Sequence, residues 1–288
     1  MLKHRLIFGT LMTVAFVGLV LFDAWLDGSL GSQESYAPVY ATLLTTFLII
    51  MAVPANFELS ALADSAGAKV FLPITIAGTI LLSTAWYWSQ FAENRYLFAA
   101  LFFTFVLCLC VFAIFFWQGS RFASVGAFAN IGANLIALIY LGVLTSFVLA
   151  VRIDFGPIPF LMYIFVVKCS DIGAYTTGRM FGRHKFSPVI SPKKTWEGMA
   201  GACIFAAVVS SLFAKASCIM SFWQAILFGI VFAFAGQGGD LAESMLKRAG
   251  RQKDSSDAVP GFGGILDVID SPLATGVLAY LFFMLIAN

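Results

Sequence analysis

Long apolar stretches, separated by short polar breaks, recur along the whole of this chain. Each stretch is roughly 20 residues long, which is the length that an α-helix needs to cross about 30 Å of hydrocarbon. The pattern therefore predicts an all-α, polytopic transmembrane protein with about nine spans. The predicted spans lie near residues 6–26, 37–55, 70–88, 96–117, 128–151, 157–177, 196–214, 220–240 and 272–288.

Composition supports the same class, because 60% of the residues are hydrophobic and only 11% are charged. Soluble domains carry about 25% charged residues, and this chain has too few polar groups to cover a water-facing surface. We expect one integral membrane domain over 1–288, with N-terminal spans in 1–155 and a catalytic part in 156–288. The first stretch exceeds a signal-peptide core and lacks a small-residue cleavage site, so it is expected to be a retained span.

Lysine and arginine are distributed unevenly between the two sides of the predicted membrane protein. With the N-terminus in the cytoplasm, the cytoplasmic segments hold thirteen of these residues and the opposite segments hold three. The positive-inside rule predicts this excess, and an odd number of spans then places Asn288 outside. We expect a protein of the bacterial inner membrane whose two most basic loops share the cytoplasmic side. The net charge of +2 gives no reason to expect a nucleic-acid partner.

Histidine and cysteine give little support for zinc or triad chemistry. The chain has only two histidines, His4 and His184, which argues against a zinc site or a Ser-His-Asp arrangement. The five cysteines lie mostly within apolar segments and lack metal-ligand spacing, so we interpret them as small hydrophobic residues.

The first half of the chain is expected to be chemically quiet. Asp23, Asp27, Glu34 and Glu93 fall at span ends or in short loops, where hydrated charges need no functional explanation. Residues 58–69 have the pattern of a short interfacial helix, but a surface connector is the interpretation we favour.

The sixth predicted span carries ionisable residues at membrane depth. Lys168, Asp171 and Tyr175 are spaced i, i+3 and i+7, so they share one face of a helix. A charge at mid-bilayer costs roughly 2.5–3.5 kcal/mol on insertion scales, so Lys168 and Asp171 should pair, face a watery cavity or lie near the cytoplasmic end. A simple neutralising ion pair is the alternative to a functional site.

A basic loop with Gly and Pro residues leads into the seventh span through Ser191, Pro192, Lys193, Lys194 and Thr195. Either Pro192 is the first helical residue after a serine cap or Thr195 is the cap. In both cases the two lysines lie beside free N–H groups at the positive end of a helix. The turn therefore favours phosphate binding, and a loop that contacts anionic lipid is the alternative.

A polar stripe marks the cytoplasmic end of the eighth span. Carboxylates there suit a hard divalent cation such as Mg²⁺, and the basic residues suit phosphate oxygens. For Glu243 we favour a simple i,i+4 salt bridge with Lys247. The stripe consists of residues spaced i, i+3, i+4, i+7 and i+8: Asp240, Glu243, Ser244, Lys247 and Arg248.

The following loop and turn add further acids to the same neighbourhood. Lys253 and Asp254 precede a glycine-rich turn, which lets backbone approach a ligand closely. Asp267 and Asp270 then share one face at the start of the last span. Acids and bases without a base-activated Ser or Cys are typical of phosphoryl or nucleotidyl transfer, in which the protein positions charged reactants and offsets negative charge.

These motifs resemble those of the phosphatidate cytidylyltransferases, also called CDP-diacylglycerol synthases. The family's signature is roughly S-x-x-K-R-x4-K-D-x5-P-G-H-G-G-x-x-D-R-x-D-S, and the spacing here agrees with it throughout. The resemblance covers about the last 120 residues. The matching residues are Ser244, Lys247, Arg248, Lys253, Asp254, Pro260, Gly261, Gly263, Gly264, Asp267, Asp270 and Ser271, and upstream Asp171, Ala174, Tyr175, Gly178, Arg179, Phe181, Gly182 and the run 191–198.

The resemblance implies CTP and phosphatidate as substrates, CDP-diacylglycerol and pyrophosphate as products, and Mg²⁺ as the cofactor of a phospholipid-biosynthesis enzyme. It implies Asp240 and Asp267 as the leading metal ligands. The other implied catalytic residues are Asp171, Lys247, Asp254 and Asp270. The implied substrate-binding residues are Ser191, Lys193, Lys194, Thr195, Ser244, Arg248, Lys253, Gly261, Gly263 and Gly264.

Two positions depart from the family pattern. Phe262 replaces the usual histidine and Val268 replaces the usual arginine. Phe262 cannot donate a hydrogen bond or titrate, and Val268 cannot hold phosphate, so those roles are absent or relocated.

Four other interpretations follow from the same residues. The acceptor could be another lipid phosphate, the chain could be a polyprenol-type kinase, or the departures could mark a non-catalytic relative. A transporter with a Lys168–Asp171 relay would need polar residues on both membrane sides, whereas the polar chemistry clusters on one. The sequence is compatible with a homodimer but indicates no interface.

Overall fold

The computed structural model describes residues 2–30, 39–256 and 263–287, with side chains described from residue 8 onward. Apart from one short hairpin, the regular structure of this part is helical, which confirms the predicted all-α class. A π-helical segment, Leu138–Val143, joins α6 to α7. The helices are α1 (Leu2–Leu26), α2 (Thr42–Ser65), α3 (Leu72–Ser83), α4 (Ala85–Ser89), α5 (Arg95–Phe122), α6 (Ala127–Ala137), α7 (Leu144–Phe155), α8 (Pro157–Phe181), α9 (Trp196–Ser217), α10 (Phe222–Ala249) and α11 (Ile265–Ala287).

Eight helical stretches of the described chain are long and apolar enough to cross a membrane. They are Phe8–Leu26, Thr42–Ser65, Arg95–Phe122, Ala127–Phe155, Pro157–Phe181, Trp196–Ser217, Phe222–Ala249 and Ile265–Ala287. Large apolar side chains point outward from them, as on α5, where Phe112 and Phe116 are exposed. Lipid is the solvent for such a surface, so the chain is an integral membrane protein.

The third predicted span differs from the others, because it consists of two short helices. α3 has 12 residues, α4 has five, and Thr84 separates them. Twelve helical residues extend only about 18 Å, which is shorter than the hydrocarbon core. The two short helices α3 and α4 still return along α2. The residue after α4, Gln90, is bonded to the segment just before α2, because the Tyr40 amide donates to Gln90 Oε1 (2.8 Å). The described residues thus contain eight helical stretches long and apolar enough to span a membrane, where the sequence predicts nine spans.

The basic loop between α8 and α9 forms a hairpin that the sequence does not predict. Strand β1 (Lys185–Ser187) pairs antiparallel with β2 (Ser191–Thr195). β2 leads directly into α9, and the Thr195 hydroxyl accepts a hydrogen bond from the Gly198 amide (3.1 Å). Thr195 is therefore the N-cap of α9, the second of the two capping arrangements that the sequence allows.

Glycines bring α8 and α9 into close contact at the hairpin end. A side chain at Gly173 would lie 2.7 Å from the Gly201 carbonyl oxygen, and one at Gly198 would lie 2.9 Å from that of Ala174. Small residues allow this backbone approach between membrane helices. The contact fixes the hairpin beside the C-terminal residues of α8.

A buried ion cluster joins α1 to α7 at the opposite end of the bundle. The Arg152 guanidinium is 2.8 Å from Asp27 Oδ2 and 3.8 Å from Asp23 Oδ2, and it donates to the Ser29 hydroxyl (3.1 Å). All three charged residues are buried. The expectation that Asp23 and Asp27 are hydrated is therefore wrong. Burial requires these charges to be paired.

Asp27 is expected to stabilise the fold in a pH-dependent manner. Burial raises its pKa, but hydrogen bonds from Ser29 and Ala41 and the Arg152 charge outweigh burial and hold the pKa below its ordinary value. Such a group stabilises the fold above its unfolded-state pKa, and this stability is lost as pH falls through the folded-state pKa. Asp27→Asn should lower the apparent Tm at about pH 7, with a smaller deficit near pH 3. An equal deficit at both values would contradict this assignment.

Candidate active site

Three carboxylates from α10 and α11 meet at one end of the bundle. The sequence predicts that this end lies on the cytoplasmic side. Asp240, Glu243 and Asp270 each offer an oxygen that lies within 4.8 Å of the others. The first two lie on successive turns of α10, and the third lies in the first turns of α11. Gly239 lets the two helices meet, because a side chain there would collide with Ala274 on α11.

One buried oxygen of this cation cluster (Asp240, Glu243 and Asp270) has no hydrogen-bond partner in the described part of the chain. Glu243 is 1% exposed; its Oε2 pairs with Lys247 Nζ (2.7 Å), which confirms the expected i,i+4 bridge. Its Oε1 is buried without a hydrogen bond among the described residues. A buried carboxylate oxygen that lacks a donor is costly. The cluster therefore fits Mg²⁺, which takes oxygen ligands from carboxylates.

Two lysines, one on α8 and one on β2, balance the negative charge of the acids. Lys168 Nζ lies 3.8 Å from both Asp171 and Asp270, so the predicted Lys168–Asp171 pair also extends to the cation cluster. Lys194 Nζ contacts Asp240 Oδ2 (2.8 Å). The Gln237 side chain donates to Asp171 Oδ1 (3.0 Å). Asp171 is thus beside the cluster and linked to it through neighbours.

A cleft of about 200 Å³ opens next to the cation cluster, and Asp240 belongs to both. Lys193 is exposed at this cleft and makes no ion pair with the described residues. The predicted phosphate-binding residues of the hairpin therefore face a space that adjoins the acids. The cleft is lined by Asp171, Ala174, Tyr175, Phe186, Ser191, Lys193, Lys194, Thr195, Gly198, Met199, Gln237 and Asp240.

The resemblance implies that Asp267 is a metal ligand, but in the structure its oxygens accept hydrogen bonds from protein groups. Its Oδ2 accepts hydrogen bonds from the Ser255 amide (2.9 Å), the Ser255 hydroxyl (2.8 Å) and the Gly264 amide (2.7 Å). Its Oδ1 is bonded to Lys247. Four donors contact its oxygens, so Asp267 holds the loop and Lys247 in this structure, and the acid that lies with Asp240 and Asp270 is Glu243. The physical reason is that an acid in the first turn of a helix is drawn to free N–H groups.

Of four further residues of the predicted site, one contacts the cation cluster and three are exposed outside it. Ser244 donates to Asp240 (3.3 Å), which supports the cluster. Arg248 is exposed and donates to the Ile190 carbonyl oxygen (3.4 Å) on the hairpin loop. Lys253 and Asp254 are exposed and lie 3.8 Å apart, so the structure does not bring them into the cluster.

The glycine-rich turn is only partly described. Pro260, Gly261 and Phe262 lie outside the described residues, so their predicted contribution is untested. Gly263 has φ of +100°, a value that favours glycine. A side chain at Gly264 would collide with the Ser255 hydroxyl and approach Glu58 Oε2 to 2.5 Å.

Comparison with known proteins matches residues 3–286 to the model of the cytidylyltransferase family. The chain belongs to this family. Among curated relatives, the phosphatidate cytidylyltransferase of Bacillus subtilis is 37% identical over 161 residues, which are 55% of this chain and 59% of that protein. The relative of the same name from Helicobacter pylori is 36% identical over 52% of this chain and 57% of its own. That from Chlamydia muridarum is 32% identical over 62% and 64%. The matched region thus covers less than two thirds of the length of each of these relatives.

In this cytidylyltransferase-family chain, Glu58 is a site residue that the sequence reasoning missed. It lies within α2, is buried, and accepts hydrogen bonds from the Ile265 and Leu266 amides (both 2.9 Å) at the start of α11. The Ser256 hydroxyl also donates to it (2.6 Å), and the Ser255 hydroxyl lies 3.1 Å from its Oε2. The interpretation of residues 58–69 as a surface connector is therefore wrong. An acid between Phe57 and Leu59, in an apolar helical pattern, was the available signal.

Glu58→Ala is expected to loosen the start of α11 and to reduce activity. The Ile265 and Leu266 amides would lose their acceptor, and an unpaired buried group costs about 1–3 kcal/mol. Hydrogen exchange should speed up at the Ile265 and Leu266 amides, and the apparent Tm should fall. Asp64→Ala, which removes an exposed acid of the same helix, is the matched control. Unchanged exchange at these amides would contradict the assignment.

Proposed function

We propose that this protein transfers the cytidylyl group of CTP to phosphatidate, which gives CDP-diacylglycerol and pyrophosphate. The observation that carries the proposal is a cluster of three acids, two of them buried, directly beside a lysine-lined cleft. One buried oxygen of the cluster lacks a donor among the described residues. Relatives named phosphatidate cytidylyltransferase in several bacteria support the same substrates.

In the proposed reaction a phosphate oxygen of phosphatidate attacks the α-phosphorus of CTP, and pyrophosphate leaves on the opposite side. Asp240, Glu243 and Asp270 would hold Mg²⁺. When bound, the ion supplies charge that offsets the negative charge developing on the phosphate oxygens. Lys193 and the N-terminal end of α9 would bind phosphate oxygens in the cleft.

Lys194 and Lys168 keep the acids paired until the substrates arrive. Each contacts a carboxylate at the edge of the cation cluster, Asp240 and Asp270 respectively. A cation at the cluster would take over part of that charge balance, which would release the lysines toward phosphate. We propose that this end of the bundle faces the cytoplasm of the bacterial inner membrane, where the positive-inside rule places the basic loops.

The proposal is tested with detergent-purified protein, CTP, phosphatidate and MgCl₂, with products identified by mass spectrometry. CDP-diacylglycerol should form with phosphatidate and not with diacylglycerol. Formation of phosphatidate from diacylglycerol and CTP would identify a lipid kinase instead. The absence of any CTP-dependent lipid product, with protein that remains folded, would overturn the proposal.

A further inference from the structure

Gln237 is a buried polar residue of α10 that the proposed mechanism does not use. It is 4% exposed and lines the cleft together with Asp240. Its side-chain amide donates to Asp171 Oδ1 on α8 (3.0 Å), and its carbonyl oxygen accepts a hydrogen bond from Lys194 Nζ on β2 (3.0 Å). Gln237 is thus the residue at which three elements of the candidate active site are joined.

The sequence around Gln237 explains why it reaches α8. The preceding residue, Gly236, lies against that helix, where an added side chain would contact Val167 (3.5 Å) and the Ser170 hydroxyl (3.7 Å). Small residues allow membrane helices to pack at such short distances. Because Ser170 directly precedes Asp171, the turn of α8 that carries this acid faces α10.

The two oxygens of Asp171 have different partners. Oδ1 accepts the hydrogen bond from Gln237, whereas Oδ2 lies 3.8 Å from Lys168 Nζ. The same lysine nitrogen is also 3.8 Å from Asp270 Oδ1. Hydrogen bonds from nitrogen to oxygen are about 2.7–3.2 Å long, so Lys168 is shared between the two acids without a short bond to either.

A neutral amide is suited to this position, because it binds a carboxylate oxygen without offsetting its negative charge. If the Gln237 donor were removed, Asp171 would lose a hydrogen bond at the wall of the cleft. A carboxylate that loses a donor is drawn more strongly to the nearest cation, which is Lys168. The lysine would then close on Asp171 and would be less available to a phosphate oxygen.

We propose that Gln237 is a positioning residue, whose side-chain amide occupies one oxygen of Asp171 and thereby keeps Lys168 available to a phosphate oxygen of CTP or phosphatidate. The inference rests on the proposed function for the identity of these two phosphate ligands. The contacts of Gln237 with Asp171 and Lys194 do not depend on that function.

Gln237→Met removes the amide and keeps the length of the side chain. Binding of labelled CTP and of labelled phosphatidate to the purified protein is measured separately in MgCl₂, so that no transfer occurs. The dissociation constant of the ligand whose phosphate meets Lys168 should rise about 10-fold, the size of a lost hydrogen bond to a charged group. The ligand that responds identifies the phosphate. Unchanged dissociation constants for both ligands would overturn the proposal.

A double-mutant cycle tests whether Gln237 acts through Asp171. Asp171→Asn removes the charge that would draw Lys168, so in that background Gln237→Met should change the dissociation constant by less than about twofold. A loss as large as in the wild-type background would show that Gln237 acts independently of Asp171, and this result would also overturn the proposal.

The matched control is Gln224→Met, near the start of α10, where the side chain accepts a hydrogen bond from the Ser221 amide (2.8 Å). It should leave both dissociation constants unchanged. Gln237→Glu, which has the shape of glutamine, covers the case in which Gln237→Met does not fold. Its added charge should also draw Lys168 and raise the same dissociation constant, and unchanged values would again contradict the inference. Wild-type protein that binds both ligands but forms no CDP-diacylglycerol would refute the proposed function alone.

Discussion

Asp270→Asn is expected to lower the rate of CDP-diacylglycerol formation by about 100-fold or more. Asp270 is 5% exposed and supplies one of the three oxygens of the cation cluster. Charge stabilisation by a bound metal ion is worth several kcal/mol in the transition state, and each 1.4 kcal/mol is a factor of ten in rate. The amide has nearly the same shape as the carboxylate but carries no charge, so the loss should appear in kcat and in the Mg²⁺ concentration required.

The control for this variant is Asp64→Asn. Asp64 is an exposed acid on α2 that pairs with Lys69 (3.1 Å), so its loss should leave the rate unchanged. Asp267→Asn separates the two assignments of that residue. A structural role predicts a lower apparent Tm with the Mg²⁺ requirement unchanged, whereas a metal ligand would shift the Mg²⁺ requirement. An Asp270→Asn protein of wild-type activity would contradict the assignment of the cation cluster.

Lys247→Met is expected to destabilise the protein by about 3–5 kcal/mol, the cost of removing one partner from a buried ion pair. Lys247 is buried and lies between Glu243 and Asp267, and it bonds to both. Without it, two buried carboxylates would face each other without a cation. Methionine keeps the length and the apolar stem of the side chain, so the loss is one of charge rather than of volume.

The effect of Lys247→Met is measured as the apparent Tm and as the half-life of the folded protein in detergent. Lys253→Met, which removes an exposed lysine of the following loop, serves as the control and should have no effect within error. Mg²⁺ should recover part of the stability of Lys247→Met, because a cation at the cluster offsets the same acids. Equal stability of the two variants would contradict the buried role of Lys247.

The helical class and the three polar segments are predictable from the sequence, because each depends on local periodicity. The apolar repeat gives the spans, and the spacing of Asp240, Glu243 and Lys247 gives one helix face. The structure confirms that these faces meet at one end of the bundle. The start of α9 is also locally encoded, since the capping residue Thr195 directly precedes it.

The errors come from tertiary contacts that leave no local pattern. Asp267 and Asp270 look equivalent in the sequence, but the backbone and side-chain donors of the neighbouring loop bind the first and leave the second for the cluster. Glu58 reaches the site from a helix distant in sequence, so only the packing of α2 against the start of α11 reveals it. The hairpin before α9 is short and basic, and its pairing depends on how α8 and α9 are held together.

Transfer of radioactivity from CTP labelled at a single phosphate tests the central claim most directly. Purified protein is incubated with phosphatidate, MgCl₂ and CTP labelled with ³²P at either the α- or the γ-phosphate. Cytidylyl transfer predicts that the α-label appears in the lipid product and that the γ-label appears in pyrophosphate. The γ-label in lipid, or labelled lipid formed equally by Asp270→Asn, would contradict the account.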